Sequence, residues 1–198
     1  MSLYPGVGWW NDETHNLSQA NMKTIDQGIK DAHLLDVAEV TSGTEASLEL
    51  TVPAGATGLR IQGVFRSDFN DAWRGLSMTF NNNTADDYRS QRVTFSGDTT
   101  TPIVLMSELN RFGVGDGPGA TALAGVFATV VIDIPNVQAS SGFRPSFTAQ
   151  VQASNTTNTA RITMSGGHQV NQAGGPVSTI QLFVGDAAFV AGTRFELL

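Results

Sequence analysis

The chain has 198 residues, of which 40% are hydrophobic and 15% are charged, and its formal net charge is -7. This acidic balance argues against binding to nucleic acid, which needs a basic surface, and against docking on an anionic membrane. No apolar run approaches the roughly 18–20 residues that span a bilayer, and the absence of cysteine excludes disulfides, thiolate catalysis and cysteine-ligated metals.

Residues 1–16 combine breakers of regular structure with aromatic side chains. One proline and two glycines interrupt any period around Tyr4, Trp9 and Trp10, which predicts an extended arm. Tryptophan is enriched at interface hot spots, so one interpretation is that these aromatic residues bind a partner. The other is that they pack on the protein's own body. The segment lacks the basic and apolar regions of a signal peptide, so none is expected.

A helix is predicted after Ser18, a favourable N-cap. Met22, Ile25 and Ile29 follow at helical spacing and form one apolar stripe. A helix with so narrow a stripe is marginal in isolation. It is therefore expected to lie on the main domain or to bundle with copies of itself.

The charged residues change in kind along the chain. Every lysine lies at or before Lys30 and every arginine at or after Arg60. Together with a change in hydrophobic pattern, this predicts a boundary near 41–46. The N-terminal arm and helix are assigned to 1–40, as a docking or oligomerisation segment, and a β-sandwich domain to 46–198.

From residue 46 onward apolar and polar residues alternate with period two, which is typical of strands. Strands are predicted at 47–52, 59–66, 76–80, 89–95, 103–106, 124–134, 147–152, 160–164, 180–184 and 193–198. Short strands separated by turn signals, with no helix between them, predict a mainly β protein with an antiparallel β-sandwich or jelly-roll-like body. The glycine-rich segments 110–120 and 166–176 are expected to be mobile loops.

No motif for catalysis or cofactor binding is present. His15, His33 and His168 share no metal-ligand spacing, and the chain has no nucleophile elbow. We therefore expect no catalytic residue, no cofactor and no metal, and a protein that is not an enzyme.

Acidic loops leave three alternatives open. Four aspartates fall in two neighbouring predicted loops, namely Asp68, Asp71, Asp86 and Asp87. Such side chains can cap turns, ligate calcium or form the carboxylate pair of a glycosidase, and turn capping is the favoured interpretation. Phe69 and Trp73 in the first loop could stack on a sugar, or pack at the end of the sandwich or in a subunit contact.

Three stretches of the body carry a family resemblance. Residues 59–68 end in Arg-Ser-Asp, residues 76–88 contain Phe-Asn-Asn-Asn-Thr before Tyr88, and residues 180–197 contain Phe-Val-Ala-Gly-Thr before a last strand. Their order and spacing over 57–198 resemble minor structural proteins of tailed bacteriophages, such as tail-fibre and head-fibre proteins. Residues 10–29 resemble the entry helix of phage tail and neck proteins.

The resemblance implies a virion component without enzymatic activity, made in the host cytoplasm and commonly assembled as a homotrimer. Expected partners are further copies of the chain, other proteins of the capsid, neck or tail, and a host surface glycan. The residues expected to bind partners are Tyr4, Trp9, Trp10, Met22, Ile25 and Ile29. The alternative function is a receptor-binding or carbohydrate-binding module of a tail fibre, and a glycan hydrolase ranks third.

Overall fold

Strands and their connecting turns make up the part of the chain that the structure describes. The computed structural model describes residues 34–85, 87–97, 99–135, 137–138, 145–154, 160–170 and 176–198, with the backbone alone at 99–109. This part holds fourteen strands and no helix. In chain order they are β1 (Asp36–Glu39), β2 (Thr44–Glu45), β3 (Ser47–Thr51), β4 (Leu59–Phe65), β5 (Trp73–Phe80), β6 (Tyr88–Ser96), β7 (Thr99–Leu109), β8 (Phe112–Pro118), β9 (Ala128–Ile134), β10 (Ser146–Ser154), β11 (Ala160–Gln169), β12 (Thr179–Phe183), β13 (Phe189–Val190) and β14 (Arg194–Leu197). Among these residues no helix has the length and hydropathy needed to cross a membrane.

The strands form two large antiparallel sheets and one small one. The eight-stranded sheet has the order β1-β14-β4-β9-β10-β11-β6-β7, and the four-stranded sheet has the order β3-β12-β5-β8. β13 and β2 form a separate two-stranded ribbon. The prediction of a mainly β, antiparallel body is confirmed, and its two large sheets face each other in a sandwich-like arrangement.

One hydrophobic core lies between the two large sheets. Phe112 in β8 has its ring centroid 5.3 Å from that of Phe80 in β5. The same ring lies 4.6 Å from Tyr88 in β6 and 4.7 Å from Phe147 in β10. Ring pairs at these separations attract each other beyond the effect of burying apolar area. Phe112 therefore joins the four-stranded sheet to the eight-stranded sheet.

Segment 110–120, predicted to be a loop, contains strand β8. A Cβ atom on Gly115 would lie 2.5 Å from a methyl carbon of Val151 in β10, and one on Gly117 would overlap the ring of Phe65 in β4. Because no side chain fits at these positions, the glycines allow β8 to lie directly against the eight-stranded sheet. The loop prediction was wrong because these glycines serve the close approach of two sheets.

The second glycine-rich segment, 166–176, is also partly a strand. β11 extends to Gln169, and a Cβ atom on Gly167 would overlap the carbonyl oxygen of Arg89 in β6. His168, expected in a loop, therefore lies within a strand. Residues 171–175 of this predicted loop lie outside the described residues.

Strand β1 lies within the segment 1–40. Its residues pair with β14 at the edge of the eight-stranded sheet. The backbone N–H of Thr51, in β3 of the other sheet, donates a hydrogen bond of 2.6 Å to Oδ2 of Asp36. Residues Asp36–Glu39 are thus part of the sheet, and Asp36 links the two sheets at this edge.

Two of the stretches that carry the family resemblance meet in space. The N–H of Arg66 donates to Oγ1 of Thr193 over 3.3 Å, and the N–H of Val190 donates to the carbonyl of Arg66 over 3.1 Å. Asp68 accepts a hydrogen bond of 2.8 Å from the N–H of Ala188. The buried Arg66 guanidinium also donates to backbone carbonyls of the loop before β9, those of Ala120, Ala122, Leu123 and Val126. These residues hold β4, that loop and the last strands together.

The third stretch forms the turn between β5 and β6. Asn81 and Asn82 have φ angles of 52° and 53°, a left-handed conformation that asparagine tolerates better than most residues. The buried Tyr88 hydroxyl donates to the carbonyl of Asn83 over 2.8 Å and accepts from the N–H of Phe80 over 3.2 Å. Burial raises the pKa of Tyr88, so this hydroxyl stays protonated and can donate. The asparagine-rich stretch therefore has a structural role.

Candidate interaction surface

The partner-binding residues predicted from the sequence lie outside the described residues. They are Tyr4, Trp9, Trp10, Met22, Ile25 and Ile29. The predicted arm and helix that contain them lie outside as well, and the assignment of these residues stays a prediction.

The acidic loops are the first candidate site within the described residues. Asp68 accepts from the N–H of Ala188, Asp71 accepts from the N–H of Ala72 over 2.6 Å, and Asp87 accepts from the Asn83 amide over 3.1 Å. Asp86 lies outside the described residues. No group of three or more His, Asp or Glu side chains in the described ranges is placed to hold a metal ion. The described carboxylates thus bind chain groups near loop ends.

An arginine side chain stacks on each of Phe69 and Trp73, the two aromatic residues considered above for stacking on a sugar. The guanidinium carbon of Arg74 lies 4.0 Å from the ring centroid of Phe69, and that of Arg161 lies 4.2 Å from the ring of Trp73. Such cation–π contacts stabilise a partly desolvated arginine. In this structure, therefore, a side chain of the protein itself stacks on each ring.

The outer face of the eight-stranded sheet is the surface formed by the outward side chains of β4, β9, β10, β11 and β6. Cross-strand register aligns these side chains in rows. One row contains Gln62, Val131, Gln150, Met164 and Val93. The next contains Val64, Thr129, Gln152, Ile162 and Phe95. Depressions of about 540, 380, 320 and 220 Å³ lie along this face.

Two adjacent strands of this sheet reverse the usual orientation of polar and apolar residues. We call β11 and β6 the inverted strands, and β14, β4, β9 and β10 the ordinary strands. The ordinary strands turn their apolar side chains inward, such as Ile132, Phe147 and Val151. Apart from Tyr88 at the start of β6, the inverted strands instead bury polar residues, namely Ser90, Thr94, Thr163 and Gln169.

A polar network lies under the inverted strands. Asp116 of β8 accepts from Arg92 over 3.3 Å and from Arg161 over 3.0 Å. Nearby, the hydroxyls of Thr94 and Thr163 are 3.3 Å apart within hydrogen-bond distance. The Nε atom of Arg161 is buried and has no hydrogen-bond partner among the described residues. Beyond the ring contact of Tyr88 with Phe112, the inner surface of the inverted strands is therefore held by polar contacts to β8.

The apolar side chains of the inverted strands point outward. Four of them, Val93, Phe95, Ile162 and Met164, are contiguous. Together with Val131 of β9, which Gln150 of β10 separates from Met164 in the register, they form what we call the apolar island. Met164 is 50% exposed, and Phe95, Val131 and Ile162 are each nearly 40% exposed. Contiguous exposed apolar residues of this size mark interaction surfaces more often than isolated ones do.

Polar residues surround the island, and charges lie farther out. The neutral side chains next to it are Gln62, Gln91, Gln150, Gln152 and Thr129. The charged groups lie on β4, β9, β14 and β1, and one further charged residue, Arg89, lies on β6 four residues from Val93. Arg60 binds Asp133 through two hydrogen bonds of 2.7 and 3.1 Å, which raise the pKa of Arg60. An apolar centre with a polar surround is the usual anatomy of a protein–protein interface.

A second set of paired charges lies beside the polar residues that surround the island. The Gln62 amide donates to Glu196 over 3.1 Å, and Arg194 donates to Glu196 over 3.0 Å. These two hydrogen bonds, the one from Gln62 first, lower the pKa of Glu196. Arg194 also donates to Glu39 over 2.8 Å, and its bonds to both carboxylates raise the pKa of Arg194. The charges at this edge are therefore paired within the chain.

The largest of the four depressions lies over the other end of β11. We call it the β11 groove, and its outward lining residues are Arg89, Gln91, Ser146, Thr148, Gly166 and His168. His168 stands between Arg89 and Ser146 in the register, and Gly166 stands between Gln91 and Thr148. Because Gly166 has no side chain, the row that contains it is open above the backbone.

Sequence patterns alone did not identify this surface. The alternation of Ile162 and Met164 with Arg161 and Thr163 predicts a strand, but it does not decide which set faces the core. The apolar set of a strand ordinarily faces the core, and the structure places this one outside. One feature of the sequence points to the inverted orientation. Arg161 and Thr163 alternate with the apolar residues of β11, just as Arg92 and Thr94 alternate with those of β6, and strand pairing places both sets on the same face of the sheet.

Comparisons with models of protein families, with curated proteins and with solved structures found no match for this chain.

Proposed function

We propose that the protein is a non-enzymatic structural component of a bacteriophage virion, as a capsid-decoration or head-fibre protein or a minor protein of the tail. The observation that carries this proposal is the apolar island, because such a surface fits a permanent protein neighbour. The resemblance of residues 57–198 to minor structural proteins of tailed bacteriophages supports the same function. The chain is then made in the host cytoplasm and resides in the virion.

The proposed neighbour on the island is another copy of this chain, in a homotrimer. At a net charge of -7, copies of the chain repel one another, and a contact surface without carboxylates keeps that repulsion low. The two rows of the island combine apolar residues with glutamine and threonine and contain no carboxylate. Three copies around an axis could each turn this face toward the other two.

The strand order supports a jelly-roll description of the body. An eight-strand jelly roll has two sheets, with its strands in the orders 1-8-3-6 and 2-7-4-5. Counting from β3, the four-stranded sheet β3-β12-β5-β8 has the first order. The run β4-β9-β10-β11-β6-β7 has the second, with strand 7 replaced by the antiparallel meander β9-β10-β11. Jelly rolls are common in viral capsid proteins and lectins.

Attachment to the particle is assigned to the predicted N-terminal arm and helix, within residues 1–35. Tyr4, Trp9 and Trp10 are the proposed anchors, since tryptophan and tyrosine supply large apolar contact areas. Met22, Ile25 and Ile29 are proposed to help hold the subunits together.

Incorporation into particles tests this function. Particles of the phage that encodes the chain are purified by density gradient, and the amount of the chain in them is measured by quantitative mass spectrometry. The wild-type chain should copurify with particles. The double change Trp9→Ala, Trp10→Ala should reduce incorporation at least roughly tenfold while the melting temperature stays within a few degrees, because burial of each ring contributes several kcal/mol to attachment.

Arg60→Gln is the matched control, since it alters an exposed residue away from the island and should leave incorporation unchanged. Absence of the wild-type chain from purified particles would contradict the function. Full incorporation of the tryptophan variant would contradict the mode of attachment.

A second candidate function, a receptor-binding or carbohydrate-binding module, is favoured by one observation. The β11 groove has an open volume of about 540 Å³ and polar lining residues. Ligand sites of small molecules commonly have volumes in this range.

A further inference from the structure

The β11 groove offers space that packing inside the protein does not require. A Cβ atom on Gly166 would lie 3.3 Å from the carbonyl oxygen of Phe147 and 3.8 Å from a methyl carbon of Thr148. The fold could accept a side chain there after a shift of a few tenths of an ångström. The neighbouring Gly167 differs, because its Cβ atom would overlap the backbone of β6. Glycine at position 166 therefore leaves the floor of the groove open on β11, between β10 and β6.

The polar groups that face this floor are not engaged elsewhere. Among the described residues, no hydrogen bond or ion pair is made by the side chains of Arg89, Gln91, Ser146, Thr148 and His168. They stand on three adjacent strands, about 5 Å apart across the sheet and about 7 Å apart along it. One pyranose ring with its hydroxyl groups covers an area of this size. Hydroxyl and amide groups at that spacing can hydrogen-bond several sugar hydroxyls at once.

The groove also departs from the charge of the whole chain. The protein has a net charge of -7, yet the residues that line the groove include a guanidinium and an imidazole and no carboxylate. Arg89 and His168 are direct cross-strand neighbours, so both can reach one anionic group. A guanidinium pairs with a carboxylate through two parallel hydrogen bonds.

We propose that the β11 groove binds an acidic saccharide, whose carboxylate is held by Arg89 and His168 and whose hydroxyls are held by Gln91, Ser146 and Thr148. This inference rests on the second candidate function and names its ligand class and site. The groove begins beside the apolar island, because Gly166 is two residues from Met164 and Gln91 is two residues from Val93, separations of about 7 Å. Arg89 and His168 are each four residues from the island, at about 13 Å from Val93 and Met164. The carboxylate site at Arg89 and His168 therefore lies outside the island, and Gln91 borders both.

Calorimetric titration of the full-length protein tests the proposal with two matched pairs of probes. The first pair is a galacturonic acid trisaccharide and its neutral methyl ester. The second is sialyllactose and lactose. At least one of the acidic members should bind, and its neutral counterpart should bind at least roughly tenfold more weakly, because a lost charge-assisted hydrogen bond costs about that factor.

Three variants locate the binding. Arg89→Gln should weaken the acidic probe roughly tenfold or more, since it removes the bidentate partner. Gly166→Val should abolish binding by filling the open floor, and its melting temperature shows whether the sheet is intact. Arg60→Gln is the control, because it removes an arginine from the same outer face outside the groove, and it should leave the dissociation constant unchanged.

Four outcomes would overturn the proposal. They are no heat of binding from either acidic probe at about 10 mM, equal binding of acidic and neutral members, unchanged binding by the folded Arg89→Gln variant, and preference for a sulfated trisaccharide over the carboxylated one. Particle incorporation of Arg89→Gln is measured in parallel. Normal incorporation with lost saccharide binding would support the groove assignment and separate it from the structural role.

Discussion

The ordinary and the inverted strands share one sheet but differ in which face of the sheet carries their apolar side chains. On β4, β9 and β10 the inward residues are apolar and packed against the four-stranded sheet, as Ile132 and Phe147 illustrate. On β6 and β11 the inward residues include Arg92, Arg161 and Thr163, while the apolar residues other than Tyr88 point away from the core. The ordinary strands bury their apolar surface within one chain, and the inverted strands leave theirs exposed.

This difference distinguishes the apolar residues that the fold of one chain requires from the apolar residues that it leaves exposed. Shifting a strand by one residue would exchange its two faces, so a sheet normally fixes its register by burying the apolar side. The inverted strands keep their register through Asp116, Thr94 and Thr163 instead. Their exposed apolar residues are therefore not needed for packing within one chain, and we assign them to contact between chains.

The largest expected effect comes from the core of the ordinary strands. Phe147→Ala removes a buried ring that lies 4.7 Å from Phe112 of the other sheet. Truncation of a buried phenylalanine costs about 3–5 kcal/mol of the free energy of unfolding. Urea unfolding should show this loss, with a fall in melting temperature of roughly 6–20 °C.

Phe95→Ala is the matched truncation on an inverted strand. Its ring is 39% exposed, so at dilutions that separate the chains its removal should cost at most about 1 kcal/mol. Equal losses for the two variants would mean that Phe95 is packed within its own chain.

The next effect concerns a buried arginine that has no carboxylate partner in the described residues. Arg66→Met deprives the carbonyls of Ala120, Ala122, Leu123 and Val126 of a shared donor. Leaving buried carbonyls unsatisfied should cost about 2–4 kcal/mol of unfolding free energy. Amide hydrogen exchange should rise first in residues 120–127. Unchanged exchange there would show that the guanidinium does not hold the loop.

A smaller effect is expected from the ion network under the inverted strands. Asp116→Asn leaves Arg92 and Arg161 without a shared charge and should cost about 1–2 kcal/mol, since the three groups are partly rather than fully buried. Asp133→Asn is the matched control, because its pair with Arg60 is exposed to solvent and contributes little. Loss of stability in the control but not in Asp116→Asn would contradict the role of this network.

The smallest effect is a pH dependence at the edge of the ordinary strands. Hydrogen bonds from Gln62 and Arg194 lower the pKa of Glu196 in the folded protein. The stabilisation is therefore present above the ordinary glutamate pKa and is lost as the pH falls through the depressed folded value. Comparing wild type with Glu196→Gln in urea at pH 7 and pH 3 should reveal a difference of about 0.5 kcal/mol or less that disappears at the lower pH. A difference that grows on acidification would reverse the sign and contradict this account.

The positions of most strands could be predicted from the sequence, but their arrangement in the sheets could not. Period-two alternation located β3, β4, β6, β10 and β12, because each has a run long enough to show it. It missed β8, since an inward glycine such as Gly115 leaves no apolar residue to count. It also missed β1, which has only four residues and is defined by its pairing with β14.

The candidate surface was still less accessible from the sequence. Alternation shows that Ile162 and Arg161 point to opposite sides, but only contact with Asp116 shows which side is internal. The β11 groove likewise depends on register, because Arg89 and His168 are far apart in the chain and become neighbours through strand pairing. Cross-strand pairing between distant segments was not predictable from local pattern.

The mass of the full-length protein in solution tests the central claim most directly. Light scattering at micromolar concentration should give three times the 21.0 kDa mass of one chain for the wild type. The double change Ile162→Glu, Met164→Glu places carboxylates in the apolar island and should give the mass of a single, still folded chain. A wild-type mass of one chain, or an unchanged trimer mass in the double variant, would contradict the assignment of this outer face to contact between copies.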